Sequence, residues 1–255
     1  MTPLLVAAQF LTRIPIPGAR PDGTAAISGA QAWFPAAGLA IGALLVAVDR
    51  IAMRALPPLT VDVLVVVALV VITGALHLDG LADAADGLFG GRNAEERLRI
   101  MHDVHAGTFA IVAIISVLAM KWAGVIALPP AVRVEALLLF PCLARLAMLV
   151  AIAVFPYARD DGMGAGFHER AWPGQTLVGA AVALVACIVL LGAGGALAFA
   201  FAVGCGLAVG ALATRMAGGM TGDVYGATVE ASEALVLLFI AALAGRGWID
   251  ALLLG

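Results

Sequence analysis

Long apolar stretches separated by short polar loops fill most of this chain. Six such stretches have the approximate bounds 29–50, 59–76, 107–128, 135–155, 175–191 and 196–213. Each is close to the roughly 20 residues with which a helix crosses a bilayer. A further apolar run, 234–254, is interrupted by the sequence GRGW, which is compatible with one kinked span or with a hairpin. The pattern predicts an all-α polytopic membrane bundle with six or seven transmembrane helices.

The polar segments predict the remaining elements. The N-terminal sequence MTPLLVAAQFLTRIPIP predicts a short amphipathic or re-entrant helix that ends at Pro15 and Pro17. In the longest polar segment, 78–106, the sequence NAEERLRIMHDVH predicts a helix capped by Asn93. A second polar loop is expected at 214–231. We therefore expect one integral membrane domain over 1–255, with candidate catalytic segments 77–108 and 214–233.

Composition supports the membrane interpretation and excludes other classes. The chain has 255 residues, of which 63% are hydrophobic and only 12% charged, whereas soluble domains carry roughly 25% charged residues. The many alanines and glycines predict helices that pack closely through small residues. No basic face suggests nucleic acid. The three cysteines stand singly in apolar runs and are expected to be small buried hydrophobes.

Arginines in the loops predict the orientation in the membrane. If the spans alternate in direction, eight arginines share one side, namely Arg13, Arg20, Arg92, Arg97, Arg99, Arg159, Arg170 and Arg215. The opposite side carries three, Arg50, Arg54 and Arg133. Short cytoplasmic loops carry the excess of positive charge, so the first side is predicted to be cytoplasmic. It also holds nearly all of the polar elements rich in glycine and aspartate, which suits an enzyme better than a conduit.

Three aspartates follow the second apolar stretch, in the sequence HLDGLADAADGLFGG. The spacing of Asp79, Asp83 and Asp86 places their carboxylates on one face of a helix. Carboxylate oxygens suit Mg²⁺, which also takes phosphate oxygens. Gly80 and Gly87 directly follow two of the aspartates and would let a bulky phosphate approach. The sequence therefore predicts a site for Mg²⁺ and a phosphorylated substrate, with a solvated helix face as the alternative.

Two further polar motifs are candidates for the same site. Asp103 is a candidate metal ligand, and either His102 or His105 is a candidate base or phosphate contact. The sequence GGMTGDVYGA contains Thr221, Gly222 and Asp223, and its glycine-rich backbone is suited to holding phosphate. A flexible turn is the alternative for this second motif.

The remaining charged groups near or within the spans are assigned as follows. Arg145 lies inside the fourth span and is expected to face the bundle interior, where it neutralises a substrate phosphate or pairs with an aspartate. Arg13 is placed to reach the cytoplasmic face. Lys121 is expected to extend its amine to the membrane surface, while Glu230 and Glu233 are interpreted as solvated cap residues.

These motifs, taken together and in this order, resemble the cobalamin synthase family of adenosylcobinamide-GDP ribazoletransferases. The sequences LHLDGLADAADGLFGG, ERLRIMHDVHAGTFA and GGMTGDVYGATVEASE carry the resemblance, with FLTRIPIP, WFPAAGLAIGAL and FPYARDDGMG in support. Asp103, Gly107 and Thr108 match the family pattern. His102 and His105 depart from it, since they stand where the family usually has a Lys or Arg and an Arg.

The resemblance implies an Mg²⁺-dependent enzyme of the cytoplasmic (inner) membrane that acts late in vitamin B12 assembly. It would join adenosylcobinamide-GDP to α-ribazole, or to α-ribazole 5′-phosphate, and release GMP. With the motifs described above, this predicts Asp79, Asp83, Asp86 and Asp103 as metal ligands. The expected proton acceptor is Asp86, Asp103 or His105. The expected substrate-binding residues are Arg13, Gly80, Gly87, Gly107, Thr108, Arg145, Thr221, Gly222 and Asp223.

Two alternative functions remain open from the sequence. One is another Mg²⁺-dependent membrane phosphotransferase or an aspartate-rich prenyltransferase, in which a different aspartate spacing is expected. The other is a cation-coupled carrier, which predicts polar residues on both sides of the membrane and an internal repeat. The lipid bilayer is the expected partner in every case, and a homo-oligomer is compatible with the sequence.

Overall fold

The computed structural model describes residues 2–15, 24–159, 167, 172 and 174–249, and these residues form a bundle of helices. In chain order the α-helices are α1 (Pro3–Leu11), α2 (Thr24–Ala30), α3 (Phe34–Ala52), α4 (Pro58–Thr73), α5 (Leu76–Gly90), α6 (Ala94–Ile100), α7 (Thr108–Ala127), α8 (Arg133–Val154), α9 (Gln175–Leu191), α10 (Gly195–Ala217) and α11 (Gly222–Gly245). Extended pairing within this part of the chain is limited to a bridge between Tyr157 and Met220. The all-α expectation is confirmed.

By length and composition, five stretches of the described chain can cross a membrane, or six if α4 and α5 together count as one broken span. One of the five, Gln175–Ala217, is 43 residues long and contains both α9 and α10. A 3-10 turn at Gly192–Gly194 separates these two helices, which then pack against each other. The polytopic architecture agrees with the prediction of six or seven spans. The part of the last apolar run beyond residue 249 lies outside the described residues.

Helix α8 is the centre of the bundle, since 83% of its apolar window is buried by other helices. It packs against α3, α9, α10 and α11. The contact with α3 is close because Gly38 and Gly42 lie against the α8 backbone. A Cβ on Gly38 would lie 2.6 Å from the Pro141 carbonyl oxygen, and one on Gly42 would lie 2.5 Å from that of Leu138. Small residues thus set the helix spacing, as their abundance predicts.

A sharp break separates α4 from α5 and sets the direction of α5, the helix that carries Asp79, Asp83 and Asp86. Gly74 and Ala75 both adopt positive φ, at 61° and 57°, and the two helices differ in direction by 89°. Positive φ is costly for alanine. The backbone N–H of Arg13 donates to the Ile72 carbonyl oxygen over 2.8 Å, so the segment after α1 is tied to the end of α4.

Two predicted boundaries are corrected by the structure. Helix α1 ends at Leu11, before Pro15, and Pro17 lies outside the described residues. The expected polar loop 214–231 is mostly helical, because α10 continues to Ala217 and α11 begins at Gly222. Only a short turn joins them. Its residue Gly218 has a φ of 84°, a conformation that favours glycine at the end of a helix.

Candidate functional site

Aspartates from three parts of the chain line one open cleft. Asp79 and Asp83 from α5 border it together with Asp103, which follows α6, and Asp223 in the first turn of α11. The cleft has a volume of about 440 Å³, and Arg159 also borders it. Predicted candidates that are far apart in sequence therefore share one cavity. This convergence is the main feature of the site.

Asp86 has a different environment from Asp79 and Asp83. Its carboxylate accepts hydrogen bonds from the backbone N–H groups of Gly107 and Ala110, the latter over 3.0 Å. Because these N–H groups lie at the first turn of α7, Asp86 acts as a cap for that helix. It borders a second cleft of about 280 Å³ with Gly107 and Thr108. All three aspartates lie on α5, but the carboxylate of Asp86 fixes the start of α7.

Asp103 borders both clefts and is paired with a histidine. Nδ1 of His105 lies 2.8 Å from Oδ1 of Asp103, and the His105 backbone N–H donates to the same oxygen over 3.0 Å. The hydrogen bond from the His105 side chain is the largest cause of a lowered pKa for the Asp103 carboxyl. This carboxylate is exposed and stays charged into acid conditions. His102 borders the first cleft and His105 the second.

The predicted glycine-rich motif is the start of α11, and its side chains are ordered by one another. Thr221 caps the helix by accepting the Val224 backbone N–H over 3.2 Å. Its hydroxyl donates to Oδ2 of Asp223 over 3.2 Å, and Nη1 of Arg159 lies 3.4 Å from the same oxygen. Gly222 is open, since a Cβ built on it has nothing within 4 Å. The motif therefore presents a fixed aspartate and a helix N-terminus to the cleft.

Two of the predicted substrate-binding glycines serve in packing. A Cβ on Gly80 would lie 2.9 Å from the Asp223 carbonyl oxygen, so this glycine allows α5 to approach α11. A Cβ on Gly87 would lie 2.3 Å from Cγ of Met101 and 2.7 Å from the Arg97 carbonyl oxygen. The space at Gly87 is already filled by α6 and the residue after it. The expectation that Gly87 leaves room for a phosphate is wrong.

The two predicted substrate-binding arginines lie in different places. Arg145 is fully buried in α8, and its guanidinium pairs with Glu233 of α11. The expected interior position is confirmed, but the partner is a glutamate rather than an aspartate. The side chain of Arg13 packs on Gly74, at the break between α4 and α5. Neither arginine borders the aspartate cleft, whereas Arg159, which was not predicted as a site residue, does.

Three charged residues that were predicted at or near the membrane surface are buried: Lys121, Glu230 and Glu233. Lys121 is 1% exposed, and its amine donates to Glu230 over 2.6 Å and also to Glu233. The predictions that Lys121 reaches the membrane surface and that both glutamates are solvated are therefore wrong. The i, i+3 spacing of Glu230 and Glu233 was the available signal, since it places both carboxylates on one helix face.

Carboxylates are the main candidate metal ligands in the cleft. Within the described residues, no three His, Cys, Asp or Glu side chains converge closely enough to complete a metal centre by themselves. The cleft nevertheless offers hard carboxylate oxygens from four aspartates. Mg²⁺ usually takes one or two carboxylates, several waters and substrate phosphates rather than an all-protein cage. The residues present fit an ion that substrate helps to hold.

Comparisons with known proteins give a consistent result. The family model for cobalamin-5-phosphate synthase matches residues 3–241. A protein of Chlorobaculum tepidum named adenosylcobinamide-GDP ribazoletransferase is 39% identical over 243 residues, covering 93% of this chain and 94% of its own. Proteins with the same name from Bradyrhizobium diazoefficiens and Desulfitobacterium hafniense are 37% and 35% identical, covering 94% and 93% of this chain and 93% and 96% of their own.

No solved structure matches this chain. The family match covers every element that lines the two clefts, from α1 to most of α11. It agrees with the resemblance carried by the aspartate motif and the TGD sequence, and it does not favour the alternative phosphotransferase, prenyltransferase or carrier. The chain belongs to the cobalamin-5-phosphate synthase family.

Proposed function

We propose that this protein joins adenosylcobinamide-GDP to α-ribazole, or to α-ribazole 5′-phosphate, and releases GMP. The family match and the names of the relatives support this activity. A hydroxyl oxygen of the ribazole forms a bond to the phosphorus that is attached to the cobinamide arm. The bond from this phosphorus to the oxygen bridging to GMP breaks, and the hydroxyl proton passes to a base on the protein.

The observation that carries the proposal is the cleft shared by Asp79, Asp83, Asp103 and Asp223. Arg159 is the one guanidinium among the described residues that border it. A pyrophosphate substrate brings further negative charge, so these carboxylates would repel it. A divalent cation between the two removes that repulsion, which is the usual arrangement for phosphoryl transfer.

Mg²⁺ is the cation that this donor set fits best. Asp79, Asp83, Asp103 and Asp223 are the candidate ligands, with phosphate oxygens and water completing the coordination. Bound there, Mg²⁺ would neutralise charge on the transferred phosphoryl group and on the departing GMP. Asp86 is not needed as a ligand in this arrangement, because its carboxylate already caps α7.

The pair formed by Asp103 and His105 supplies the proton acceptor. The lowered pKa of the Asp103 carboxyl keeps it ionised, so it orients the attacking hydroxyl rather than binding a proton early in the reaction. Loose phosphoryl-transfer transition states need little proton removal before bond formation. Asp103 holds the His105 ring through Nδ1, which leaves Nε2 as the ring nitrogen that would accept the proton.

The distribution of charge supports a cytoplasmic position for this face. Arg159 and Arg97 lie at the end of the bundle that holds the aspartates, since they contact Asp223 and the Met216 carbonyl oxygen. Arg133, at the start of α8, pairs with Asp49 of α3. Under the positive-inside rule, the end with more arginines faces the cytoplasm. Arg20 and Arg170, which contribute to that count, lie outside the described residues.

The test is GMP release by membranes that contain the protein, supplied with adenosylcobinamide-GDP, α-ribazole and Mg²⁺. Asp79→Asn and Asp83→Asn are expected to lower turnover roughly 100-fold or more, as loss of one electrostatic stabiliser does in other enzymes. Both substitutions keep the side-chain shape. They are also expected to raise the Mg²⁺ concentration needed for half-maximal rate.

Glu95→Gln is the matched control, because Glu95 is an exposed carboxylate in the first turn of α6, outside the cleft. It is expected to leave turnover within twofold of the wild type. Near-normal turnover of either aspartate variant with Mg²⁺ would show that the metal assignment is wrong. If wild-type membranes release no GMP, the proposed activity itself fails.

A further inference from the structure

A small pocket with aromatic walls opens beside the aspartate cleft. Its volume is about 120 Å³, and Phe10, Phe167 and Tyr225 line it together with His77 and Met148. Asp79 and Asp223 border both this pocket and the larger cleft. A molecule seated in the pocket would therefore have its outer end directly at the proposed reaction centre.

Aromatic rings are concentrated around this pocket, although they make up only 6% of the chain. The ring centres of Phe10 and Phe167 are 5.8 Å apart, and those of Phe167 and Tyr225 are 5.5 Å apart. Phe34 and Tyr157 extend the same group behind these rings. Both tyrosines of the protein belong to it. Such a group favours planar aromatic ligands, which stack on ring faces or meet ring edges.

The wall at Phe167 is held in place through its backbone. The Phe167 carbonyl oxygen accepts hydrogen bonds from Oγ of Ser28 over 2.8 Å and from Nε2 of Gln31 over 2.6 Å. Gln31 is held in turn by Nε2 of Gln175 over 2.6 Å. Residues 28–31 thus hold the Phe167 backbone directly, and the start of α9 supports them through Gln175. A wall that is already ordered loses little conformational entropy when a ligand binds.

We infer that this pocket binds the benzimidazole base of the ribazole substrate, whereas the guanine nucleotide of the other substrate stays in the open cleft. The inference rests on the proposed function, which supplies these two aromatic bases as the candidates. The benzimidazole ring system is largely apolar, so its burial against Phe10, Phe167 and Met148 leaves few polar atoms without partners.

Guanine is the competing base. It carries several hydrogen-bond donors and acceptors on its edges, and each one that His77, Asp79 and Asp223 of the lining left unpaired would cost about 1–3 kcal/mol. At about 120 Å³ the pocket is smaller than the cavity of about 150 Å³ that holds one benzene ring, so it would take only one edge of a two-ring base. A benzimidazole would enter by one edge and leave its ribose at the mouth. There the attacking hydroxyl would lie beside Asp79 and Asp223, which border both cavities.

The test separates the Michaelis constants of the two substrates. GMP release is measured for the wild type, Phe10→Ala and Phe167→Ala while α-ribazole and adenosylcobinamide-GDP are varied in turn. Loss of one stacking ring is expected to raise the KM for α-ribazole roughly 5- to 100-fold. The KM for adenosylcobinamide-GDP is expected to stay within twofold. The control is Phe201→Ala, which removes a ring stacked on Phe239 over 4.1 Å, away from both cavities.

Phe10→Leu and Phe167→Leu keep most of the buried volume and are used if the alanine variants do not fold. They are expected to show a smaller rise in the same KM alone. The inference is overturned if the KM for α-ribazole is unchanged, if both constants rise together, or if only the constant for adenosylcobinamide-GDP rises.

A binding measurement keeps this inference separate from the proposed activity. α-Ribazole is expected to raise the thermal unfolding midpoint of the detergent-solubilised wild type more than that of Phe167→Ala. If this difference is found but no GMP is released, the proposed activity fails and the pocket assignment stands. If GMP is released but the variants behave like the wild type in both measurements, the pocket assignment alone fails.

Discussion

Removing one partner of a buried charge pair should destabilise the protein more than removing both partners. Lys121 of α7 and Arg145 of α8 meet Glu230 and Glu233 of α11, and none of these four side chains is more than 5% exposed. The formal charges of the group cancel. Lys121→Met leaves an excess negative charge, whereas Lys121→Met combined with Glu230→Gln restores the balance.

The structure sets the size of the effect. Nζ of Lys121 lies 2.6 Å from Oε2 of Glu230, which corresponds to about 6 kcal/mol of attraction at an effective dielectric constant of about 20. Desolvation offsets most of this attraction in the intact protein. Removing one partner leaves the other charge buried without that compensation, at a cost of about 3–5 kcal/mol. The double variant is expected to cost less than Lys121→Met alone.

The measurement is thermal unfolding in detergent micelles, followed by circular dichroism, for the two single variants and the double variant. The three free-energy changes give the coupling energy between Lys121 and Glu230, which is expected to be about 2 kcal/mol or more. Arg246→Met serves as the control, because Arg246 is exposed beside Trp248. It should change the stability by no more than about 0.5 kcal/mol.

Additive costs of the two single changes would refute the reasoning. In that case each of Lys121 and Glu230 would be stabilised by different partners, and the contact between them would contribute no coupling energy. A double variant less stable than Lys121→Met alone would contradict the expected gain from restoring the charge balance.

Two further predictions concern the site. Gly80→Ala is expected to lower stability by about 1–3 kcal/mol and turnover with it, because the added Cβ would lie 2.9 Å from the Asp223 carbonyl oxygen. Gly222→Ala, with nothing within 4 Å of the new Cβ, is the matched control, and equal melting temperatures for the two variants would contradict the packing role. His105→Ala removes the hydrogen bond that lowers the pKa of the Asp103 carboxyl, so this carboxyl should bind its proton at higher pH and activity should fall earlier as the pH is lowered. His105→Arg keeps a hydrogen-bond donor and should show a smaller shift. The measurement is the rate of GMP release by both variants between about pH 4 and pH 7. If His105→Ala loses activity at the same pH as the wild type, the prediction is wrong.

The sequence predicted the helices most accurately where the chain is simply apolar. The stretch predicted at 175–191 coincides with α9, and Asn93 caps α6 as expected by accepting the Glu96 backbone N–H over 2.9 Å. These features depend on local composition and on residues a few positions apart. The convergence of Asp79, Asp83 and Asp223 was also foreseeable, since span counting placed them on one side of the membrane.

The misplaced elements depend on contacts between residues far apart in sequence. The start of α11 resembles a polar loop because it carries glycines and acidic residues. Its glutamates are nevertheless compatible with a buried helix, because Lys121 of α7 and Arg145 of α8 neutralise their charges. The local sequence pattern does not predict this pairing. The sequence also does not predict the left-handed conformation of Ala75, since alanine normally favours the continuation of a helix.

The buried charges and the aspartate cleft are joined by a single helix pair. Helices α5 and α11 approach closely because Gly80 and Gly226 face each other, and a Cβ on Gly226 would lie 3.0 Å from the His77 carbonyl oxygen. Glu233 ties α11 to α7 and α8 about three helical turns below Asp223. A rotation of α11 that moved Asp223 away from the cleft would therefore also separate buried charges. The cost of that separation holds Asp223 opposite α5, so the charge network inside the bundle fixes the geometry of the site at its surface.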